Sequence, residues 1–280
     1  MPELPEVETI KNELAPQVVG RCVIGVSLFW RDAVREPSPA EIRQRLIGQK
    51  IAGIRRRGKY LLLQLSDGET LILHLKMSGV LLIKPTSQKL ENHTTAIFHL
   101  DGGIDLHFID QRKFGSMWLV RDENMVVGKL GPEPLDASFT LAILRKISSQ
   151  HRIPIKVLLC DQHAIAGIGN MYADEALFAA RIQPLKKANA LSDDEIERLH
   201  AAIIEVLERG IKSKGASTDT YRRPDGKTGS AHTEFNVAHR NGEACPDCGS
   251  PIQRVSLRGR GVYFCPNCQR DEPQPRLLIY

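Results

Sequence analysis

No run of 18 apolar residues occurs in the 280-residue sequence, and its acidic N-terminus has no signal-peptide pattern. These absences argue against a transmembrane helix and a secretory leader, so a soluble, cytoplasmic protein is expected. The single Gly167-Ile168-Gly169 lacks a third glycine at the required place and has no strong strand before it, which argues against a dinucleotide fingerprint. Nothing in the chain speaks for an oxidising compartment, so disulfides are a poor use for its six cysteines. A balanced charge is also missing. The net charge is +5, but residues 209–270 alone hold eleven Lys and Arg against five Asp and Glu. That basic end calls for an anionic partner, of which nucleic acid is the simplest.

Four cysteines form a pattern: Cys245-x2-Cys248, sixteen residues, then Cys265-x2-Cys268. Each C-x2-C turn presents two thiolates to one tetrahedral ion, and a hairpin between the pairs brings them together. The spacing therefore predicts one structural zinc ion. Cys22 and Cys160 sit in apolar runs and are expected to be buried core thiols.

The length suits two domains. After a leading helix, short segments of β character run over 23–29, 51–57, 60–65, 70–75, 79–84, 95–100 and 104–109. Asp67-Gly68 and Asp101-Gly102-Gly103 mark turns between them. An antiparallel β-sandwich over 1–130 is predicted, ended by a linker at 131–137 that contains Gly131, Pro132 and Pro134. The period then becomes helical. Ser192 and Glu195 make a capping box for a helix to Ile211 with Ile196, Leu199, Ile203, Val206 and Leu207 on one face, and shorter helices are expected over 155–160 and 170–180. The fold class is thus α+β, with a helical domain at 138–238 and a zinc-finger hairpin at 239–271. The polar, glycine-rich stretch 215–239 is too long for an ordinary connection, so it is either a mobile functional loop or a disordered linker.

The first residues carry the most specific chemistry. Met1 precedes the small Pro2 and is expected to be removed, leaving a secondary amine at the chain end. An α-amino group titrates near pH ~8, so part of it is unprotonated at neutral pH and can attack a sugar carbon to form a Schiff base. Glu3 stands beside it as acid or base. Pro5 sits at a first helical turn, with Val7, Ile10, Leu14 and Val18 at helical spacing behind it. By themselves these residues would be an acidic, proline-capped helix start. Farther on, backbone N–H groups at Gly167-Ile168-Gly169-Asn170, together with the Asn170 side chain, can hold a DNA phosphate.

Taken together, six blocks resemble bacterial formamidopyrimidine-DNA glycosylases. They are Met1-Pro2-Glu3-Leu4-Pro5-Glu6-Val7-Glu8-Thr9, His74-Leu75-Lys76-Met77-Ser78-Gly79, Asp110-Gln111-Arg112-Lys113-Phe114-Gly115, the Gly131-Pro132-Glu133-Pro134 linker, Gly167-Ile168-Gly169-Asn170 and the four cysteines. The resemblance spans Pro2 to Cys268. It implies a monomeric, nucleoid-associated bacterial enzyme acting on double-stranded DNA with oxidised bases or abasic sites. Such an enzyme excises 8-oxoguanine and formamidopyrimidines, then cleaves the abasic site by β,δ-elimination. Carried over residue by residue, it makes Pro2 the nucleophile, Glu3 the acid and base, Glu6 a supporting carboxylate, Lys59 the proton carrier of β-elimination and Arg260 the residue that bonds the phosphate flanking the lesion and is assigned to δ-elimination. Met77, Arg112 and Phe114 match residues that fill the void left by a flipped base, and the helical domain is implied to be a helix-two-turn-helix element. Asn170, Lys156, Arg152 and His93 fall where DNA contacts are expected, with lesion recognition assigned to the 215–239 loop. The related endonuclease VIII type, specific for oxidised pyrimidines, is the alternative. It typically has Gly where Leu4 stands and lacks the Arg112-x-Phe114 wedge.

Overall fold

The computed structural model describes residues 1–270; the last residue of the expected finger, 271, lies outside them. By compactness the chain divides into two units, 1–131 with 208–233, and 132–207 with 234 onward. Each is described by itself.

The first unit opens with helix α1 (Leu4–Val18), in which Pro5 occupies the first turn. Its apolar stripe of Val7, Ile10, Leu14 and Val18 is fully buried, as the helical spacing requires. Strands follow in two sheets. The first, of order β1-β7-β8-β6, contains β1 (Val23–Leu28), β6 (Gly79–Pro85), β7 (Thr94–Leu100) and β8 (Ile104–Asp110). The second, of order β2-β9-β5-β4-β3, contains β2 (Val34–Glu36), β3 (Ile51–Arg57), β4 (Tyr60–Leu65), β5 (Thr70–His74) and β9 (Ser116–Val120). Leu61, Leu63, Leu73 and Met117 of one sheet share a core with Leu81, Phe98, Leu106 and Phe108 of the other and with the α1 stripe. That is the predicted sandwich. Burying one Leu or Phe side chain stabilises the fold by roughly 1.5–3 kcal/mol relative to exposure.

One part of the expectation is corrected, because the sandwich is not purely antiparallel. The edge strand β2 pairs parallel with β9. Three residues long, it leads out of a 3-10 turn at Arg31–Ala33 and meets β9 only after six other strands have been laid down. Helix α2 (Pro39–Leu46) was also absent from the sequence reading. Its signal was present, for Ser38 and Glu41 form a reciprocal capping box and Pro39 takes the first position. Helix α3 (Asn124–Val127) is a single turn.

The second unit holds α4 (Leu141–Ser149), α5 (Ile155–Leu159), α6 (Asn170–Ala179) and most of α7 (Asp193–Lys212). The α7 start is capped as expected, with Ser192 N–H donating to Glu195 at 2.7 Å and Glu195 N–H to Ser192 Oγ at 3.2 Å. Strands β10 (Gln253–Leu257) and β11 (Arg260–Phe264) form the hairpin between the two cysteine pairs. The two remaining cysteines are not core residues, contrary to expectation. Both are half-exposed, Cys22 at an isolated bridge to Lys50 just before β1, where its apolar run begins, and Cys160 at the C-cap of α5, where its run ends. Among the described residues no helix is long and apolar enough to cross a membrane.

Candidate active site and DNA-binding surface

The start of α1 is built around two buried carboxylates. Glu3 is the N-cap and Glu6 the third helical residue, paired in a capping box in which Glu3 N–H donates to Glu6 Oε2 at 2.7 Å. The other Glu6 oxygen accepts the Ala216 N–H at 2.8 Å. One carboxylate therefore holds both the segment bearing Glu3 and the root of the 215–233 stretch. Pro2 is buried beside a half-exposed Met1. Removal of Met1 would uncover the amine next to Glu3.

Lys59 lies in the two-residue turn between β3 and β4, where Gly58 adopts a φ of 56° that suits glycine. It is only 5% exposed, unusual for a lysine. Its charge is felt at His74, whose pKa is pushed down to about 3 by burial first, then by the nearby Lys76 and Lys59. A neutral His74 accepts the Lys76 N–H at Nδ1, 2.9 Å away, and packs edge-on against Tyr60. This fixes the turn that presents Met77.

Register brings the wedge residues together. β6 pairs with β8 so that Gly79 faces Asp110, which places the Met77 turn beside the 110–115 turn at one end of the sheet. Asp110 is buried and clamps both. It accepts from Ser78 Oγ, from Arg112 N–H at 3.2 Å and from Gly115 N–H at 2.6 Å. Gly115 is the residue that fits there, because a Cβ would lie 2.4 Å from Phe108. The result is an exposed cluster: Met77 is 39% and Phe114 50% accessible, with the Arg112 guanidinium 4.9 Å above the Phe114 ring. Large apolar side chains held out in water by a buried clamp are not core residues. The sequence reading missed Ser78 and Asp110, although both stand inside the quoted blocks.

Beside this cluster lies an open cavity of about 740 Å³ lined by Ser78, His93, Gln111, Ser217, Thr220 and Arg222, among others. His93, with a left-handed φ of 64°, rims it and accepts the Asp110 N–H through its carbonyl. The 215–233 stretch is tied down by specific contacts. Ala216 bridges to Ser230, Arg223 makes a fork with Glu13, and Arg222 pairs with Glu91 at 2.9 Å. Tyr221 is buried, its hydroxyl donating to Lys214 O. Burial, followed by the charges of Glu6 and Glu13, pushes that phenol well above its ordinary range.

In the second unit, α5, the start of α6 and the cysteine hairpin enclose a cavity of about 240 Å³. Lys156, Cys160, Asn170, Arg258 and Arg260 line it. Asn170 opens α6 and donates from Nδ2 to Gly261 O at 2.9 Å, tying the helix start to β11. Lys156 points inward. It is 2% exposed, 2.7 Å from Asp174 and bonded to Asn170 O. Burial, only partly offset by Lys156, leaves Asp174 raised to about 7. Arg152 is exposed between α4 and α5 and does not line this cavity. A third missed residue is Glu175, which is buried and accepts the N–H groups of Asn236, Val237 and Ala238, anchoring the chain that enters the finger.

The four cysteine sulfurs lie within 4.8 Å of one another, with Cys248 to Cys265 at 3.5 Å and Cys245 to Cys268 at 3.8 Å. Zinc–thiolate bonds of ~2.3 Å in a tetrahedron demand sulfur separations of about 3.8 Å, so the residues fit the ion. The chain binds one structural zinc.

Three family models match in order. Formamidopyrimidine-DNA glycosylase N-terminal domain covers residues 1–117, formamidopyrimidine-DNA glycosylase H2TH domain 130–222, and the zinc finger found in FPG and IleRS 242–270. Among curated relatives, the formamidopyrimidine-DNA glycosylase of Chloroflexus aurantiacus is 44% identical, over 98% of this chain and 100% of that one. That of Desulforamulus reducens is 43% identical, over 96% and 99%. Of solved structures, a Lactococcus lactis FPG mutant in complex with Fapy-dG-containing DNA superposes with a TM-score of 0.91 at 36% identity, covering 96% of this chain and all of that one. The MutM (FPG) protein of Thermus thermophilus gives 0.88 at 38% identity, covering 97% and 100%. Fold, cysteine site and full-length similarity agree, and the chain belongs to the formamidopyrimidine-DNA glycosylase family.

Proposed function

We propose that this protein excises oxidised purines, 8-oxoguanine and formamidopyrimidines, from duplex DNA and then cleaves the abasic site. It acts as a monomer in the cytoplasm, at the nucleoid. The observation that carries the reading is the buried carboxylate pair at the chain start, Glu3 N–H to Glu6 Oε2, with Glu6 also bound to Ala216. It sets an acid and base beside the residue that becomes the N-terminus.

In this reading the freed Pro2 nitrogen bonds to C1′ of the damaged nucleotide as the glycosidic bond breaks, and the base leaves with a proton. Glu3 supplies a proton as the sugar ring opens, giving an iminium between Pro2 and C1′. Loss of a C2′ proton then expels the 3′ phosphate, with Lys59 carrying the proton, and a second elimination expels the 5′ phosphate with Arg260 serving that side. Hydrolysis returns the amine. The target base must first leave the stack. Phe114 wedges at the step, Met77 fills the vacated space and Arg112 hydrogen-bonds the orphaned partner base. Zinc holds the hairpin that carries Arg260, and the Asn170 helix start takes a flanking phosphate. Leu4 and the Arg112-Phe114 wedge favour purine over pyrimidine lesions.

Borohydride trapping on an 8-oxoguanine duplex, run beside a thymine glycol duplex, tests this. The expected result is a covalent adduct at the Pro2 peptide, formed preferentially with 8-oxoguanine. No adduct, or one on protein that retains Met1, overturns the chemistry.

A further inference from the structure

The turn between β10 and β11 contains an arginine in an unfavourable place. Leu257 and Arg260 are the last paired residues, which leaves Arg258-Gly259 as a two-residue connection with φ of 49° and 74°. Positive φ at both positions is the mark of a type I′ turn, for which Asn-Gly is the preferred pair. Gly259 suits its position. Arg258 does not, since a left-handed backbone crowds any side chain with a Cβ and only Asn, Asp or Gly adopts it readily. A strained residue that persists is a pointer to use.

The use is visible in the cavity it lines. Lys156, Asn170, Arg258 and Arg260 surround one space, but their charges are not equivalent. Lys156 is turned inward onto Asp174, 2.7 Å away, and Asn170 O, and Asn170 is uncharged. Arg258 and Arg260 are exposed, and among the described residues neither has an ion-pair partner. The cavity's exposed positive charge therefore comes from these two guanidiniums, two residues apart on one hairpin, set against the single carboxylate of Asp161 on the same wall.

We propose that Arg258 is a second DNA-phosphate ligand of the hairpin, holding the phosphate next to the one that Arg260 takes. Its strained turn is kept because it aims that guanidinium into the cavity. The inference rests on the DNA-repair reading above.

The test uses the full-length zinc-loaded protein, a duplex carrying a tetrahydrofuran abasic-site analogue, and Kd measured across a salt series. Arg258→Asn keeps the turn and improves its local fit while removing the charge. It is expected to bind about tenfold more weakly at fixed salt. Its log Kd against log salt slope should be shallower by about 0.9, the loss of one phosphate contact. Its melting temperature should be no lower than that of the parent. Arg258→Lys should restore the slope. An unchanged slope in Arg258→Asn, or a weaker affinity that tracks lost zinc or a lower melting temperature, overturns the assignment. The two readings fail differently: parent protein that neither binds this duplex nor traps on 8-oxoguanine overturns the repair function itself, whereas a parent that does both leaves only Arg258 in question.

Discussion

Asp110 is expected to decide whether the wedge works. Its carboxylate serves three donors, Ser78 Oγ, Arg112 N–H and Gly115 N–H, and it is 1% exposed. In Asp110→Asn one oxygen becomes an NH2 group, so at least one buried donor loses its acceptor and the others lose the help of the charge. An unsatisfied buried donor costs about 1–3 kcal/mol, and hydrogen bonds to a charged group are worth more than neutral ones, so the loss should total about 2–4 kcal/mol. The first unit should melt roughly 5–10 °C lower. The functional effect should be selective. Excision of 8-oxoguanine from a duplex needs Met77, Arg112 and Phe114 in place and should fall by about tenfold or more, since each 1.4 kcal/mol of lost positioning is a factor of about ten. Cleavage of an abasic site in a single-stranded oligonucleotide leaves no orphaned partner to stabilise and should stay near the parent rate. Paired kinetics on the two substrates, read below the melting transition, make the comparison. Equal losses on both, or no loss on the duplex, would refute the argument that Asp110 acts through the wedge.

Three other outcomes are expected. Glu6→Gln can accept only one of the Glu3 and Ala216 N–H groups that the carboxylate now shares, so 8-oxoguanine excision should drop while DNA binding is kept; single-turnover rates and Kd on one duplex check this. Chelating the zinc, or Cys265→Ser, should release the β10-β11 hairpin and weaken binding to abasic duplex by at least about tenfold, measured by fluorescence anisotropy. His74, held at about 3 against an unfolded value near 6.5, is neutral in the fold but takes up a proton when unfolded, so its contribution is present above pH ~6.5 and is lost as pH falls toward 3. Urea unfolding between pH 7 and 4 should therefore lose about 1.4 kcal/mol per pH unit that His74→Gln does not lose.

Much of this was legible because the residues concerned are local. The α1 stripe, seven of the sandwich strands, the α7 capping box and the cysteine pairs follow from spacing alone, and the structure puts them where periodicity requires. Helix α2 was missed because its apolar content is thin, only Ile42 and Leu46 being buried. The parallel β2 was missed for a different reason. Three residues carry no period, and their direction is set by a partner more than 80 residues away. The clamp at Asp110 was equally hidden, since what joins it to Ser78 is the β6-β8 register. Lys156 shows the limit of reading charge from sequence: it was expected at a DNA contact, but the fold turns it inward onto Asp174 and Asn170 O.

Helix α1 explains why recognition and chemistry share one element. Its apolar stripe is locked in the sandwich, so the helix cannot rotate without exposing Val7, Ile10, Leu14 and Val18, at roughly 1.5–3 kcal/mol each. The flank beside that stripe carries Glu6 and Glu13, seven residues apart and so nearly in line along the axis. Glu6 takes Ala216 N–H and Glu13 takes Arg223, so the two ends of the buried part of the 215–223 segment are fixed to the same rigid rod whose first turn positions Glu3. A displacement of that segment is then expected to reach the shared Glu6 carboxylate, one hydrogen bond from Glu3, the acid and base of the proposed chemistry. On the proposed reading, the segment expected to meet the lesion and the residues expected to attack its sugar are thereby held in one frame, and a base that seats poorly should leave Glu6, and through it Glu3, out of place.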